Sequence, residues 1–286
     1  MDLMPLLGAH TSTAGGLHLA FERIMEIGGE ALQVFTKNER QWRSAAITPE
    51  IARLFAQEWE KSGHLPIAAH DTYLINLAAI DPVKLEKSVV AFADELRRCS
   101  ILGIPYLVTH PGSHLGEGVA AGLDRFVNNL DRAIGLSETA SVMVLIETTA
   151  GQGASLGSTF EEIAFILKGS KYGDRLGVCF DTCHCFAAGY DIRDGESYRE
   201  TFSHFEKTIG LEHLKFFHLN DSKKDLGSRV DRHEHIGEGR IGLDAFRFLL
   251  NDDRFRKHPM VLETPKKNGL EMDKRNLRML RSLIER

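Results

Sequence analysis

Among the short apolar runs of this chain, five end on His70, His110, Glu147, Asp181 and Glu263, residues able to bind a metal. A sixth run carries His218 near its end. The six recur at intervals of roughly 35–45 residues, about the length of one strand with its following helix. A lone histidine in such a place is ordinarily a hydrogen-bonded core residue, but six ionisable groups at the same place on successive runs call for a shared cause. Carboxylates gathered without cations would raise one another's pKa. A divalent metal removes that conflict, and mixed His/Asp/Glu ligation suits Zn²⁺, Mn²⁺ or Fe²⁺. Six ligands are too many for one tetrahedral zinc with an open position, so two ions sharing a bridging carboxylate fit better.

A second concentration lies in DRHEHIGEG (231–239), where Asp231, His233, Glu234, His235 and Glu238 crowd together between Arg229, Arg232 and a glycine-rich end. If the segment is extended, period-two geometry puts Asp231, His233 and His235 on one side. The residues alone leave open whether this is a solvated loop or a ligand-bearing one. In FDTCHCF, His184 follows Asp181 by three residues. Its neighbours Cys183 and Cys185 would point away from it in an extended segment and read as buried structural thiols. His114, in HPGSH, reads as a supporting or solvated loop residue. His18, His64, His204, His213 and His258 lie in or beside helical stretches and carry no special expectation.

The elements that must position these groups follow from the same pattern. Eight aliphatic-rich runs, at 5–10, 31–35, 65–70, 104–110, 142–147, 176–181, 214–220 and 259–263, lack clear alternation. Parallel strands buried on both faces look like this. Amphipathic stretches fill the gaps with marked ends. Thr48-Pro49 and Asp81-Pro82 each place an N-cap before a proline, Gly63 and Gly103 close the two helices, and Ser158 with Glu161 makes a capping box. Eight strand–helix units predict a (β/α)₈ TIM barrel, a single domain over 1–286, whose strand C-termini converge on one face. The rival is an open doubly wound sheet, and no GxGxxG follows the first strand to support it.

Composition narrows the class. A formal net charge of −5 provides no global basic field, so a nucleic acid would have to be met by a local patch. No apolar run approaches the roughly 18 residues of a membrane span, and the acidic start MDLMPLLGAH does not read as a signal peptide. Four cysteines, three of them crowded at Cys179, Cys183 and Cys185, suit reduced thiols in a cytoplasmic protein.

Over nearly its whole length the chain resembles endonuclease IV, the metal-dependent class of apurinic/apyrimidinic endonucleases. The resemblance is carried by GAHTSTAGGL, FTKNERQW, HDTYLINL, THPGSHLGEG, IETTAGQG, DTCHCFAAGYD, HLNDSK and SRVDRHEHIGEG. It implies a TIM barrel holding three zinc ions, with Mn²⁺ possible in part. His70, His110 and Glu147 would hold the first ion, and Glu147 would bridge to a second completed by Asp181, His218 and Glu263. His184, Asp231 and His233 would hold the third. His235 and Glu234 match no ligand role. The implied reaction is hydrolysis of the phosphodiester 5′ to an abasic site in duplex DNA, leaving a 3′-hydroxyl and a 5′ deoxyribose phosphate, together with cleaning of blocked 3′ ends. Glu147 and Glu263 would be catalytic, Glu263 by orienting the attacking hydroxide, and bound zinc lowers the pKa of its water to roughly 7.

The resemblance further implies a monomer that reads the lesion with two loops. One brings Lys37, Arg40, Trp42 and Arg43, and the other brings Tyr73 and Leu74, as wedges that kink the duplex. Arg229, Lys223 and Lys224 would meet phosphate. The chain departs from the family pattern at Thr148, where asparagine is common, and at Cys185, where alanine is common. A metal-dependent sugar isomerase on a similar barrel is the alternative, and a non-catalytic DNA-binding barrel is a third reading. Neither requires both the lesion-reading loops and a third metal.

Overall fold

The computed structural model describes residues 5–266 and 269–285. Strands β1 (Leu6–His10), β2 (Ala31–Phe35), β3 (Ile67–His70), β4 (Tyr106–Thr109), β5 (Met143–Glu147), β6 (Leu176–Asp181) and β7 (Leu214–His218) precede a two-stranded ribbon. That ribbon is β8 (Asp221–Ser222) with β9 (His233–Glu234), and a last strand, β10 (Pro259–Leu262), follows it. The seven strands and β10 close a parallel barrel in the order β1-β10-β7-β6-β5-β4-β3-β2, and the ribbon pairs antiparallel beside it. This is the predicted TIM barrel, with each strand inside one of the eight predicted runs.

The α-helices are α1 (Leu19–Glu26), α2 (Pro49–Lys61), α3 (Pro82–Leu102), α4 (Val119–Ser137), α5 (Phe160–Gly169), α6 (Thr182–Ala188), α7 (Gly195–Thr208), α8 (Leu243–Leu250) and α9 (Glu271–Ser282). The longest, α3, shows why they form. The Asp81 carboxylate accepts from the N–H groups of Val83 and Lys84 at 2.9 Å each, Pro82 supplies a pre-set φ, and the left-handed Gly103 ends the helix. Val89, Phe92, Leu96 and Cys99 then recur at helical spacing on its buried face. Burying a side chain of the size of Phe92 or Leu96 contributes about 2 kcal/mol. The cap of α5 sits one residue later than expected. Thr159 accepts from the Glu162 N–H, and the Glu162 carboxylate reaches back to the N–H of Gly157 and Ser158. Residues 159 and 162 have the same spacing as 158 and 161, and tertiary packing selects between the two registers.

Inside the barrel, Ala31, Ala68, Val108, Leu145, Cys179, Phe216 and Val261 form one fully buried apolar layer. On β1 the same place belongs to Gly8, where a Cβ would fall 1.7 Å from the Ala31 carbonyl oxygen, so only glycine fits. Side chains two residues apart on a strand share a face. The next inward side chain toward the C-terminal end is therefore fixed on every strand: His10, Gln33, His70, His110, Glu147, Asp181, His218 and Glu263. An apolar floor carries a ring of eight polar groups.

Candidate metal centre

Six of the ring's members, with His184, Asp231 and His233, form three donor groups, two of which share a residue. His70, His110 and Glu147 make one, Glu147, Asp181, His218 and Glu263 a second, and His184, Asp231 and His233 a third. Within each group one donor atom per residue lies within 4.8 Å of the others. Glu147 belongs to two groups. Its Oε2 lies 3.1 Å from His70 Nε2 and 3.0 Å from His110 Nε2. Its Oε1 lies 3.1 Å from the Nδ1 of both His184 and His218. In the third group, Asp231 lies 3.2 Å from His184 Nε2 and 3.4 Å from His233 Nε2.

The histidine tautomers show that this donor set suits cations. His70 Nδ1 lies 2.8 Å from the Asp71 carbonyl oxygen, His184 Nδ1 2.9 Å from that of Thr148, and His233 Nδ1 3.1 Å from that of Glu263. A carbonyl oxygen only accepts, so each Nδ1 carries a proton and, in the neutral ring, each Nε2 offers a lone pair. His184 and His233 consequently point two Nε2 lone pairs at each other across 3.2 Å. A cation between them removes that conflict, and the oxygens of Asp231 complete the set.

Electrostatics point the same way. Burial opposes the charge on Glu147, but the surrounding imidazoles, His110 and His218 foremost, hold its carboxyl well below the usual carboxylate range. Glu263 behaves alike, with burial outweighed by His218 and His10. Burial also opposes a charge on His70, yet the Glu147 carboxylate carries it up to about 10. Burial raises the Asp231 carboxyl, and His184 more than offsets this, leaving it at about 2. Without metals the imidazoles must take up protons to balance the carboxylates. Divalent ions do the same work at neutral pH.

The local structure of the third group differs from expectation at FDTCHCF. The segment is helical, not extended. Asp181 is the N-cap of α6, its Oδ1 accepting from the His184 N–H at 2.8 Å while Oδ2 accepts from Asn220 at 2.7 Å. Helical geometry brings residue i+3 back over residue i, which puts His184 beside Asp181. Cys183 and Cys185 are buried, and burial pushes their thiols far up, that of Cys183 to about 12. Cys183 lies close to Asp181 and His233, but a buried, protonated thiol fits the structural role better. Of the two departures from the family pattern, Cys185 is buried on α6 and Thr148 is buried just after β5. Thr148 Oγ1 accepts from the Asp181 N–H.

The DRHEHIGEG loop is held by a carboxylate outside it. Asp221 is fully buried and accepts from the N–H groups of Ser222, Gly237, Gly239 and Ile241 at 2.8–3.1 Å. A Cβ on Gly239 would lie 2.4 Å from the Asp221 carboxylate, which explains the glycine. The ribbon β8–β9 then pairs Ser222 with His233. His235 does not share the Asp231–His233 side. It is buried, and its Nδ1 pairs with Asn276 Nδ2 at 3.1 Å.

The expected DNA contacts divide. Arg40 is 87 % exposed and Tyr73 72 % exposed, Leu74 is half-buried beside Tyr73, and Arg229 is exposed at a left-handed position. Tyr73 packs edge-on against Phe35, which also touches His10 and His70. A cavity of about 950 Å³ runs from Glu263, His233 and Tyr73 beneath the loops after β1 and β2. Lys37 corrects an expectation. It turns inward, fully buried, with Nζ 3.1 Å from Asp94 and 3.4 Å from Glu95 on α3. It secures the loop that carries Arg40 and offers DNA no charge. His114 organises its own loop, its Nδ1 accepting from Gly116 and Gly118. The sequence reading missed His10, Gln33 and Asn220. His10 ends its apolar run as the ligands do, so a signal was there. Gln33 sits inside its run, and only barrel register reveals it.

A closed barrel with a three-part donor set at the mouth formed by the C-terminal ends of its strands defines a TIM-barrel enzyme with groups able to bind metal. A family model described as xylose isomerase-like TIM barrel matches residues 21–283. Within that class the chain belongs to the endonuclease IV family. It is 52% identical over 282 residues to a Chloroflexus aurantiacus protein named "Probable endonuclease 4", covering 99% of both chains. Its similarity to the protein of that name from Geobacter sulfurreducens is 52% over 280 residues, 98% of this chain and 95% of the other. The crystal structure of endonuclease IV from Thermus thermophilus superposes with a TM-score of 0.88 at 38% identity, covering 98% of each chain. A D-tagatose 3-epimerase-like protein, at 18% identity and a TM-score of 0.73, shares the fold. Among the described residues no helix is long and apolar enough to cross a membrane.

Proposed function

We propose that this chain is a DNA-repair endonuclease of the endonuclease IV type. It would hydrolyse the phosphodiester 5′ to abasic sites in duplex DNA and clean blocked 3′ ends, acting as a cytoplasmic monomer of one domain. The observation that carries this reading is the set of nine donors in three groups at the barrel mouth, in a chain 52% identical over 99% of its length to a relative named "Probable endonuclease 4". We assign zinc to all three positions, with Mn²⁺ as an admissible partial substitute, because imidazole and carboxylate suit both. Bound there, the ions would supply an activated water near neutral pH and charge neutralisation on the phosphate.

The protein's own groups do the rest. Glu147 ties the first two positions together through one carboxylate. Gln33 and His10 fix Glu263 Oε1, leaving Oε2 free toward the His218 side to orient a reacting water. Tyr73, Leu74 and Arg40 would fill the space left by a displaced nucleotide. An abasic nucleotide leaves the stack readily because it has no base to unpair or unstack. Arg229, exposed two residues before Asp231, would meet a phosphate.

The test joins elemental analysis to one assay. Purified protein should hold close to three zinc ions, nick a duplex bearing a single tetrahydrofuran abasic analogue, and turn over no aldose. One metal per chain with full activity would overturn the three-ion assignment. Aldose turnover without nicking would overturn the nuclease.

A further inference from the structure

Two members of the polar ring, His10 and Gln33, stand outside the donor groups, yet they are register neighbours on β1 and β2 and both reach the centre. Gln33 is fully buried. Its Nε2 lies 2.6 Å from Glu263 Oε1 and 3.0 Å from His10 Nδ1, and its Oε1 lies 2.8 Å from His218 Nε2. The amide can face only one way. Reversed, it would set an oxygen 2.6 Å from a carboxylate oxygen with no proton between them. With Oε1 toward His218, that ring must carry its proton on Nε2. Its lone pair then sits on Nδ1, the nitrogen 3.1 Å from Glu147, 3.3 Å from Glu263 and 3.7 Å from Asp181.

We infer that Gln33 is a positioning residue for the metal position formed by Glu147, Asp181, His218 and Glu263. It locks His218 in the tautomer that ligates through Nδ1, and it holds Oε1 of Glu263 so that Oε2 faces the same position. His10 Nδ1 lies beside the same amide nitrogen and Glu263 Oε1. His70, His184 and His233 get their tautomers from backbone carbonyls. His218 depends on a side chain, so its position is open to change by a single substitution away from its ligands. The inference rests on the metallonuclease reading above.

The experiment uses the zinc-loaded full chain and Gln33→Met, which keeps the volume and removes both hydrogen-bonding functions. Zinc per chain is measured after dialysis against a chelator series, His218 protonation by long-range ¹⁵N–¹H spectra of histidine-labelled protein, and kcat and KM on abasic duplex. Groups that orient a ligand are worth about 10–100-fold in metal affinity or activity. The variant should therefore release one zinc of three at a chelator concentration lower by about that factor. His218 should lose its single-tautomer signature, and kcat should fall with KM unchanged. Gln33→Glu keeps an acceptor for His218 and loses the donor to Glu263. It should release the same zinc early while His218 keeps its tautomer, which carries the test if Gln33→Met does not fold. Unaltered zinc release in a folded variant, or loss of all three zincs together, would overturn the inference. An unaltered chain that holds no zinc would instead overturn the metallonuclease reading.

Discussion

Glu147 touches four imidazoles, those of His70, His110, His184 and His218, and balances charge for all of them. Glu147→Gln keeps the shape, removes the anion and turns an amide N–H₂ toward the rings. Zinc content should fall by two per chain and nicking by at least about 100-fold, and near-normal values in the purified variant would break the bridging assignment. In the loop after β7, His233→Ala should cost the third zinc and most activity. His235→Ala loses only a buried hydrogen bond to Asn276 and should lower stability by about 1 kcal/mol with zinc unchanged. Equal losses in both would show the ligands misassigned. At this scale the strand-end rule read six of the donors directly, because chemistry and position coincide there. Asp231, His233 and His184 needed the family resemblance, since neither a short ribbon nor a helix-capping turn has a period to read. Lys37 was misread because a lysine among polar residues looks solvated, and the acidic partners that draw it inward lie on a helix more than fifty residues away.

Two elements deliver side chains to the barrel mouth without belonging to it. The ribbon β8–β9 depends on Asp221, whose carboxylate accepts four backbone N–H groups. Asp221→Asn replaces one acceptor oxygen with a donor facing those N–H groups, at a cost of about 3 kcal/mol. Zinc should drop toward two per chain, and urea unfolding of the metal-free protein should register the lost stability. Three retained zincs with unchanged stability would deny the clasp any such part. The loops after β2 and β3 are the other delivery elements. Replacing Arg40, Tyr73 and Leu74 by alanine leaves every donor in place, so zinc should stay at three. Unstacking is worth about a few kcal/mol per step, so affinity for abasic duplex should fall roughly tenfold to a thousandfold, with a smaller margin over intact duplex. Titrations of both duplexes decide it, and unchanged discrimination would return lesion selection to the metal pocket. Both loops are legible as insertions in the sequence. Which side chains they expose depends on α3, which no local pattern foretells.

For the molecule as a whole, metal and proton compete for the same role. His70, raised from 6.5 to about 10 in the metal-free fold, contributes stability that is fully present below pH 6.5 and is lost as the pH rises through about 10. Metal-free protein should therefore unfold at progressively lower urea concentration between those two values. The zinc-loaded protein should not follow that slope, because its cations replace the protons. Parallel pH profiles would mean that zinc and the imidazole protons do not substitute for one another.

Six of the donors stand one to each of six barrel strands or just after it, and Glu263 follows the strand that shuts the barrel against β1. During synthesis the ribosome has released His70, His110 and Glu147 long before β10 exists. A nascent or broken chain can thus carry most of the donors and still have no closed mouth in which to assemble them. On the function proposed above, the capacity to cut DNA would arrive only with the last strand, so a half-made copy would be no threat to the genome.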